Sequence, residues 1–545
     1  MTSRDKLIVV SLVLLLALTS AGAVVAEQGR PSLVPATGGT YVEGVIGGYR
    51  RMIPYIASTP VDNDIGRLVF NGLMRTDRTG DIVPDLAIAH RVEQDGKVWT
   101  FELREDASWH DGRPVVADDV VYTTSLIQDR AYTGPLAEAL RGVVVERTGR
   151  KSVRFTLPAP YGPFAASTTF PILPAHKLAG VPFTQLAGDP FGHRPVGTGP
   201  FKVTEATPRE VTLAANRDFF RTKPARSRPY FDQLRLRAFP DSSAALTALA
   251  RGEIDGVSSV ASEDAERARG LRAVSVYSYP TNDFTALFLN VRPGRSALVE
   301  RPVRQAIATA IDRGRVLAVA IEGRGIVADS FVPRSSWAHP AELRRYERSV
   351  AEAQAMLEAA GWKDANGDGI REKGAAALRI AIATSDEPPR VSAAEQIARD
   401  LRLIGIDARL EVKPFDQLID TVARPRAFDA LLVGITGAPE PDLYPFFHSS
   451  QARDPGFNFS GFSTLPLDRA LEAARRAGDR EERRLLYGPI FQTLANEVPV
   501  VFLYFADFLY AQHVSIKGLK VAQLVEPSQR FWDVEDWYVR TVARR

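Results

Sequence analysis

Cysteine is absent from this chain of 545 residues. Without thiols the protein can form neither disulfide bonds nor thiolate-ligated zinc sites, so its stability must come from a large hydrophobic core. The length suits such a core, because it exceeds one ordinary domain and indicates roughly two to four domains. An apolar fraction of 45% with 24% charged residues is typical of globular proteins.

Histidine is scarce, and its spacing excludes the common metal motifs. The seven histidines show no HxH, HxxxH or HExxH pattern, so we expect no metal site and no cofactor. A G-x-S-x-G nucleophile motif is also missing. His110 beside Asp111 could suggest a general base, but Gly112 and Pro114 follow directly and favour a structural turn. We therefore expect no enzymatic activity.

The chain has no run of basic residues. Its formal net charge is +3 with both signs interspersed, which argues against nucleic acid as a partner. The glycine-rich segment 195–203 does not match a phosphate-binding loop, because Thr198 stands where such a loop needs lysine and Pro200 lacks a backbone N–H. We interpret this segment as a turn that enters a strand.

The N-terminus carries the one long apolar run of the sequence. Arg4 and Lys6 precede an apolar stretch from Leu7 to Leu18, in which Ser11 is the one polar residue, and small residues follow. This pattern predicts a secretory signal over residues 1–26, with a linker over 27–37. A retained membrane anchor is the alternative, although the run is short for a span of about 20 residues.

The segment Asp95–Leu126 is the most informative part of the chain. Asp95-Gly96 predicts a tight turn, and the alternation of Trp99, Phe101 and Leu103 with polar residues predicts a half-buried strand. After the turn at residues 110–114, Asp118 and Asp119 suit the N-terminus of a helix.

Further along, helices and strands alternate. Asp241, Ser349 and Asp479 each begin a predicted helix, and the apolar runs 286–291, 428–433 and 499–504 predict buried strands. The segment 394–403 predicts another helix, followed by a strand over 406–412. This alternation indicates an α/β protein.

The block 95–126 resembles a signature of the family 5 extracellular solute-binding proteins of ABC importers. Four further segments resemble this family in the same order: G-T-G-P-F at 197–201, G-E-I-D at 252–255, the helix V-R-Q-A at 303–306 and I-D-R at 311–313. The resemblance runs from about residue 38 to about residue 538. It implies an α/β fold of the type II periplasmic-binding-protein class, in which two lobes with mixed sheets are joined by a hinge of two crossings, plus an extra domain inserted in the first lobe.

The resemblance also implies a division of the chain, whose names are used below for these residue ranges. Lobe I comprises residues 38–70, 195–280 and 498–545; domain II comprises 71–194; and lobe III comprises 281–497. The absence of cysteine implies that the protein is not a lipoprotein, so we expect it in the periplasm or at the outer face of the cytoplasmic membrane.

The expected ligand site is the cleft between the lobes. The candidate ligand-binding residues are Tyr49, Thr59, Val61, Asp62, Tyr279, Asn282, Asp283, Phe284, Trp337, Thr436, Gly437, Ala438, Glu440, Asp442, Asn458 and Phe459. In the peptide receptors of this family the loop after the buried strand resembles G-W-T-G-D, and its Asp holds the α-ammonium of the peptide. Ile435 and Ala438 replace that Trp and Asp here, with Glu440 or Asp442 as possible substitutes.

The resemblance predicts a monomeric substrate-binding protein that captures a peptide or peptide-sized solute and delivers it to an ABC permease in the membrane. A non-peptide solute, such as an oligosaccharide or a metal chelate, is the alternative, and a chemosensory receptor or a secreted hydrolase is a further one. The acidic turn Asp364–Gly369 imitates the start of a calcium loop, but Ala375 stands where the bidentate Glu is required. Weak cation binding at this turn remained an open alternative.

Overall fold

The computed structural model describes residues 33–56, 59–132, 134, 136–222, 228–294, 297–437 and 440–543. The predicted signal segment 1–26 and the candidate residue Ala438 lie outside these ranges. Among the described residues, none of the helices combines the length and the apolar character that a membrane crossing requires.

The elements alternate along the chain as the sequence indicates. The strands are β1 (Leu33–Ala36), β2 (Thr40–Ile46), β3 (Met74–Thr76), β4 (Ile82–Pro84), β5 (Ala87–Glu93), β6 (Val98–Leu103), β7 (Val144–Gly149), β8 (Ser152–Thr156), β9 (Phe201–Ala206), β10 (Glu210–Ala215), β11 (Gln233–Phe239), β12 (Gly256–Val257), β13 (Val274–Leu289), β14 (Gly325–Val327), β15 (Glu372–Lys373), β16 (Ala376–Ala377), β17 (Arg379–Ser385), β18 (Asp407–Lys413), β19 (Ala430–Ile435), β20 (Val500–His513) and β21 (Arg540–Ala543). The α-helices are α1 (Pro60–Val69), α2 (Ala117–Ile127), α3 (Leu136–Ala139), α4 (Ala175–Leu178), α5 (Ser242–Ala250), α6 (Ala265–Arg269), α7 (Arg301–Ala310), α8 (Arg313–Ile321), α9 (Val350–Ala359), α10 (Pro388–Arg402), α11 (Phe415–Leu418), α12 (Tyr444–Phe447), α13 (Leu465–Arg476) and α14 (Arg480–Glu497).

One mixed sheet runs through lobe I and lobe III. Its strand order is β18-β17-β19-β13-β20-β12-β2-β11-β10-β9, with β14 added beside β20. The long antiparallel strands β13 and β20 are its centre: residues 274–280 pair with 507–513 in lobe I, and residues 284–288 pair with 500–505 on the side of lobe III. The ladder is irregular between Pro280 and Phe284, where the chain passes from one lobe range to the other.

Each half of this sheet is covered by helices and has its own core. In lobe III, β13, β17 and β19 pack against α7, α8 and α10, with Leu287, Ile382 and Leu432 fully buried. In lobe I, β2, β9, β10 and β11 pack against α1 and the C-terminal segment, with Tyr41 and Trp537 in contact at 5.6 Å. Two cores on either side of a pair of strands are the arrangement that permits a hinge.

A separate four-stranded sheet, in the order β5-β6-β8-β7, lies within the range of domain II. Trp99, Phe101 and Leu103 of β6 face its core, as the alternation predicts. Helix α2 begins at Ala117, and the carboxylate of Asp119 accepts the N–H of Val116 at 2.9 Å and that of Ala175 at 2.9 Å. The predicted helix start therefore also anchors a neighbouring segment.

Several element bounds differ from the sequence prediction. Residues 33–36, at the end of the predicted linker 27–37, form β1 because β21 offers an antiparallel partner from the other end of the chain. Helix α10 begins at Pro388 and not at Ala394, since proline is favourable in the first turn of a helix. The N-caps at Asp241, Ser349 and Asp479 are confirmed: each side chain accepts a backbone N–H of the first turn.

Candidate ligand-binding site

A cavity of about 540 Å³ opens where lobe I meets domain II. Its lining residues come from lobe I (Pro54, Tyr55, Asp62, Asn63, Gly66, Arg67, Phe70, Arg221, Val525, Glu526, Gln529 and Trp532) and from domain II (Asn71, Gly72, Met74, Arg75, Thr76, Asp85, Tyr132, Gly134, Leu136, Thr169, Phe170 and Pro171). A volume of this size lies within the range of small-molecule sites. The wall combines aromatic rings with several guanidinium groups, so the cavity can hold a solute with both apolar and charged parts.

The aromatic wall comes from four separate segments. Tyr55 and Tyr132 pack edge to face with ring centroids 6.1 Å apart, and the hydroxyl of Tyr55 donates to the carbonyl of Pro171. Phe170 and Trp532 complete this side of the cavity. Such rings provide apolar surfaces on which a ligand can stack.

The charged groups of the wall are largely paired with one another. Arg67 on α1 donates to Glu526 at 3.0 Å. The buried Asp85 accepts from the side-chain amide of Asn71 at 2.8 Å and lies 3.6 Å from Arg221. Arg75, the middle residue of β3, also lines the cavity and is half-buried.

The candidates around the start of α1 make the cap of that helix. Thr59 accepts the N–H of Asp62 at 3.1 Å, and the Asp62 carboxylate accepts the N–H groups of Thr59 at 3.1 Å and Arg50 at 2.8 Å. Val61 is buried in the lobe I core, and Tyr49 packs at the edge of the same core. Of these four candidates, Asp62 also lines the cavity, so its contact with a ligand stays a prediction.

The candidates on β13 surround the irregular part of the ladder. Tyr279 is fully buried against Phe508 and Tyr510, and burial raises the pKa of its hydroxyl. Asn282 accepts from the side-chain amide of Gln523 at 2.6 Å. Phe284 is buried among aromatic rings of lobe III, so its side chain is part of the core beside the irregular part of the ladder.

Asp283 carries the one carboxylate among these candidates on β13, and it is partly buried. It accepts the N–H of Gly437 at 3.2 Å, and this contact joins the crossing strand to the loop 434–442. Burial raises the pKa of Asp283, with Gly437 and Arg390 opposing that shift. Among the described residues, no cation lies within ion-pair distance of Asp283.

The loop 434–442 contains an exposed threonine and two acidic residues that form ion pairs with arginines. Thr436 is exposed and Gly437 half-buried, whereas Glu440 is buried and accepts from Arg483 at 2.9 Å and Arg480 at 3.3 Å. Asp442 accepts the N–H of Tyr444 and pairs with Arg475 at 3.2 Å. Both acids that could replace the missing aspartate at position 438 therefore already have basic partners.

The remaining candidates lie within lobe III. Trp337 stands between the guanidinium groups of Arg480 and Arg483, at 4.9 and 5.1 Å. Asn458 is fully buried and bonds backbone groups of its own turn, and Phe459 packs against Phe288 at 5.3 Å. These contacts describe a structural environment, and ligand contact by these three residues stays a prediction.

His110 and the acidic turn Asp364–Gly369, which the sequence analysis considered as possible functional sites, both form hydrogen bonds with neighbouring groups of the protein. His110 accepts the N–H of Gly197 at 3.2 Å through Nδ1 and bonds the carbonyl of Gly199 at 3.0 Å through Nε2, which is the turn role we predicted. In the acidic turn, oxygens of Asp364, Asp368 and Glu372 lie within 4.8 Å of one another. These side chains are exposed or half-exposed, and they accept hydrogen bonds from the turn itself.

The sequence interpretation identified Asp62 of the cavity wall and missed its other residues, among them Arg75, Tyr132 and Trp532. They are far apart in the chain and belong to no motif. The sequence offered one signal, which concerns Arg75. This residue lies between Met74 and Thr76 in a short strand, and a charged side chain between two buried positions is unusual.

Comparison with known proteins identifies the family of this chain. The model of the bacterial extracellular solute-binding proteins, family 5 Middle, matches residues 81–454. The oligopeptide-binding protein AppA of Bacillus subtilis is 28% identical over 520 residues, which cover 93% of this chain and 92% of AppA. Protein XP55 of Streptomyces lividans is 31% identical over 514 residues, which cover 91% of each protein.

Solved structures show the same architecture. The structure of Bacillus subtilis AppA in complex with a nonapeptide superposes with a TM-score of 0.73 at 28% identity and covers 93% of this chain and 100% of that chain. The structure of NikZ from Campylobacter jejuni in complex with Ni(L-His) gives a TM-score of 0.73 at 27% identity, covering 92% of this chain and 99% of that chain. The type II binding-protein fold is thereby confirmed.

Proposed function

This chain belongs to the family 5 bacterial extracellular solute-binding proteins, and from that membership we propose that it captures a peptide or peptide-sized solute between its lobes. Closure around the solute produces the form that docks on the permease of an ABC importer. The ligand shifts the hinge by its differential affinity for the closed form.

The observation that carries the proposal is the pair of crossing strands. β13 and β20 are the connections between the two halves of the large sheet, and their ladder is irregular at residues 280–284. A break in a regular ladder concentrates bending at a few residues, while the packed cores on both sides move as rigid bodies. Asp283 lies in this irregular stretch, and Glu526 of the cavity wall is close enough to raise the pKa of its carboxyl.

A non-peptide solute is the second candidate, and one observation favours it. Glu440 and Asp442 are paired with arginines, so neither is free to hold an α-ammonium group. NikZ, a relative by structure, holds a nickel–histidine complex and not a peptide. A solute without a free amine therefore fits the loop 434–442 as well as a peptide does.

We further propose the division into lobe I, domain II and lobe III at the boundaries given above. We propose that the N-terminal segment directs export without lipid attachment, that the protein acts as a monomer, and that it performs no bond chemistry. The absence of cysteine supports the lack of a lipid anchor, and the histidine and serine patterns support the lack of catalysis.

Native mass spectrometry of the purified protein, followed by small-angle scattering, tests the function. We expect a retained solute in the native spectrum, and a smaller radius of gyration when that solute or a peptide pool is added to ligand-free protein. Absence of a bound species together with an unchanged radius of gyration for peptide and non-peptide pools would reject solute capture.

A further inference from the structure

Three hydrogen-bond donors in the wall of the 540 Å³ cavity lack acceptors, and one of them, Arg221 Nε, has the Glu535 carboxylate 3.2 Å away. Arg75 Nε and Trp532 Nε1 are both buried, and neither has a hydrogen-bond partner within the described ranges. The two side chains come from domain II and from the C-terminal part of lobe I. Because an unsatisfied buried donor is costly, a pair of them in one cavity points to an acceptor that arrives with the ligand.

The carboxylates near Arg75 form ion pairs with other arginines. Asp85 and Glu535 both pair with Arg221, at 3.6 and 3.2 Å, and Asp533 lies 3.8 Å from Arg78. In the part of the chain that the structure describes, no carboxylate comes within ion-pair distance of Arg75. Arg75 is therefore a half-buried cation that lacks a counter-ion of its own.

The cavity wall carries both signs of charge, with Asp62, Asp85 and Glu526 beside Arg67, Arg75 and Arg221. Burial and Arg221 lower the pKa of Arg75, whereas Asp85, Glu535 and Asp533 oppose that shift from beyond ion-pair distance. Burial of Arg75 without a direct ion pair costs free energy in the ligand-free protein, and an acidic ligand reduces that cost.

We propose that Arg75 and Trp532 form a subsite that receives a carboxylate group of the bound solute, which deepens the proposed function and rests on it. The guanidinium supplies a planar pair of donors suited to a carboxylate, and the indole N–H supplies a third. The protein then selects solutes that carry a carboxylate group at one end. This matches the loop 434–442, where the acids at 440 and 442 are not available for an amine.

The test uses the full exported chain after removal of bound solute. Binding is measured by calorimetry for a pool of tri- to nonapeptides with free C-termini, for the same pool as C-terminal amides, and for carboxylated non-peptide solutes such as tricarboxylates. We expect wild type to prefer the free acid over the amide by about ten- to a hundredfold. A preference for tricarboxylates over peptides would assign the carboxylate to a non-peptide solute and still support the subsite.

Three variants locate the effect. R75Q is expected to bind acid and amide equally, and W532F is expected to reduce the preference several-fold. R78Q is the matched control, because Arg78 is exposed, three residues away and paired with Asp533. It should behave like wild type.

Thermal unfolding distinguishes a binding role from a structural one. Since Arg75 lacks a counter-ion and faces Arg221, R75Q should leave the melting temperature of the ligand-free protein unchanged or raise it. A lowered melting temperature with an intact preference for the acid would show that Arg75 is a structural residue and would overturn the subsite.

Failure of the subsite and failure of the proposed function give different results. If wild type closes around a retained solute but does not discriminate acids from amides, the subsite is rejected and solute capture stands. If neither the free-acid peptides nor the carboxylated non-peptide solutes bind, the subsite is rejected as well. The native mass spectrum then shows whether solute capture is also rejected.

Discussion

Gly162 of domain II lies directly against the carbonyl oxygen of Ala477 in lobe III, so close that a Cβ at position 162 would overlap it. Around this contact, Arg475 stands over the ring of Tyr161 at 5.2 Å, and Arg480 pairs with Asp81 of domain II. Domain II and lobe III therefore touch through an interface of their own, in addition to the hinge strands.

A Cβ at position 162 should weaken this interface. G162A is expected to lower solute affinity by about tenfold, because the closed form loses its close contact while the open form is unaffected. Scattering of the liganded variant should give a larger radius of gyration than wild type. G188A is the control, since Gly188 also lies in domain II and nothing stands near its Cβ position. Unchanged affinity and unchanged scattering for G162A would mean that the contact does not stabilise closure.

Local features of the fold could be predicted from the sequence because their causes are local. The alternation in Trp99–Leu103 and the caps at Asp241 and Asp479 depend on neighbours within a few residues, and the structure confirms them. The length of β13 was underestimated, since polar residues at 281–283 interrupt the apolar run. Its continuation is stabilised by pairing with β20, which lies more than 200 residues away.

The cavity wall could not be predicted in the same way. Arg75 and Trp532 meet because the C-terminal segment returns to lobe I, and no spacing in the sequence encodes that approach. Conversely, Thr59 and Asp62 attract notice as polar residues before a helix, yet this pattern is also the signature of a capping box. Motif reasoning thus finds polar residues near a cleft but cannot separate caps from ligand contacts.

Arg530 should be essential for the stability of lobe I. It is buried and donates to Glu43 at 3.0 Å and to Asp64 at 2.7 and 2.6 Å, and burial raises the pKa of both acids while Arg530 opposes that shift. We expect R530M to lower the free energy of unfolding by about 3–5 kcal/mol in urea titrations at pH 7.

The deficit of R530M should shrink as the pH falls, because both acids then have pKa values above their unfolded values and lose their charge on protonation. R251A is the control, since Arg251 forms an exposed pair with Glu253, and it should change stability by less than about 0.5 kcal/mol. A deficit that is the same at pH 5 and pH 7 would argue against uncompensated carboxylates as its cause.

His110 should make the protein sensitive to acid. Burial lowers the pKa of His110 to about 4, whereas an unfolded histidine titrates near the ordinary value of 6.5. The unfolded state therefore binds this proton first, and stability falls as the pH drops from about 6.5 to about 4, by up to about 3 kcal/mol. H110Q keeps a donor toward Gly199 without the titration. Urea titrations between pH 7 and pH 4 should show a shallower loss for H110Q than for wild type, and equal slopes would exclude His110 as a source.

Asp283 and Glu440 should respond differently to removal of their charge, because their carboxylates have different partners. Asp283 accepts one backbone N–H and has no cation within ion-pair distance among the described residues, whereas Glu440 is held by two arginines. For peptides that do bind, D283N should weaken those with a free N-terminal amine by about tenfold and leave N-acetylated peptides unchanged, since an ammonium group is the partner that this carboxylate lacks. E440Q should lower thermal stability and leave the ratio of the two affinities as in wild type.

Calorimetry with matched free and acetylated peptides measures both ratios. An equal loss for the two peptide forms in D283N would mean that Asp283 acts only by joining β13 to Gly437, and a changed ratio in E440Q would return the amine site to the loop 434–442.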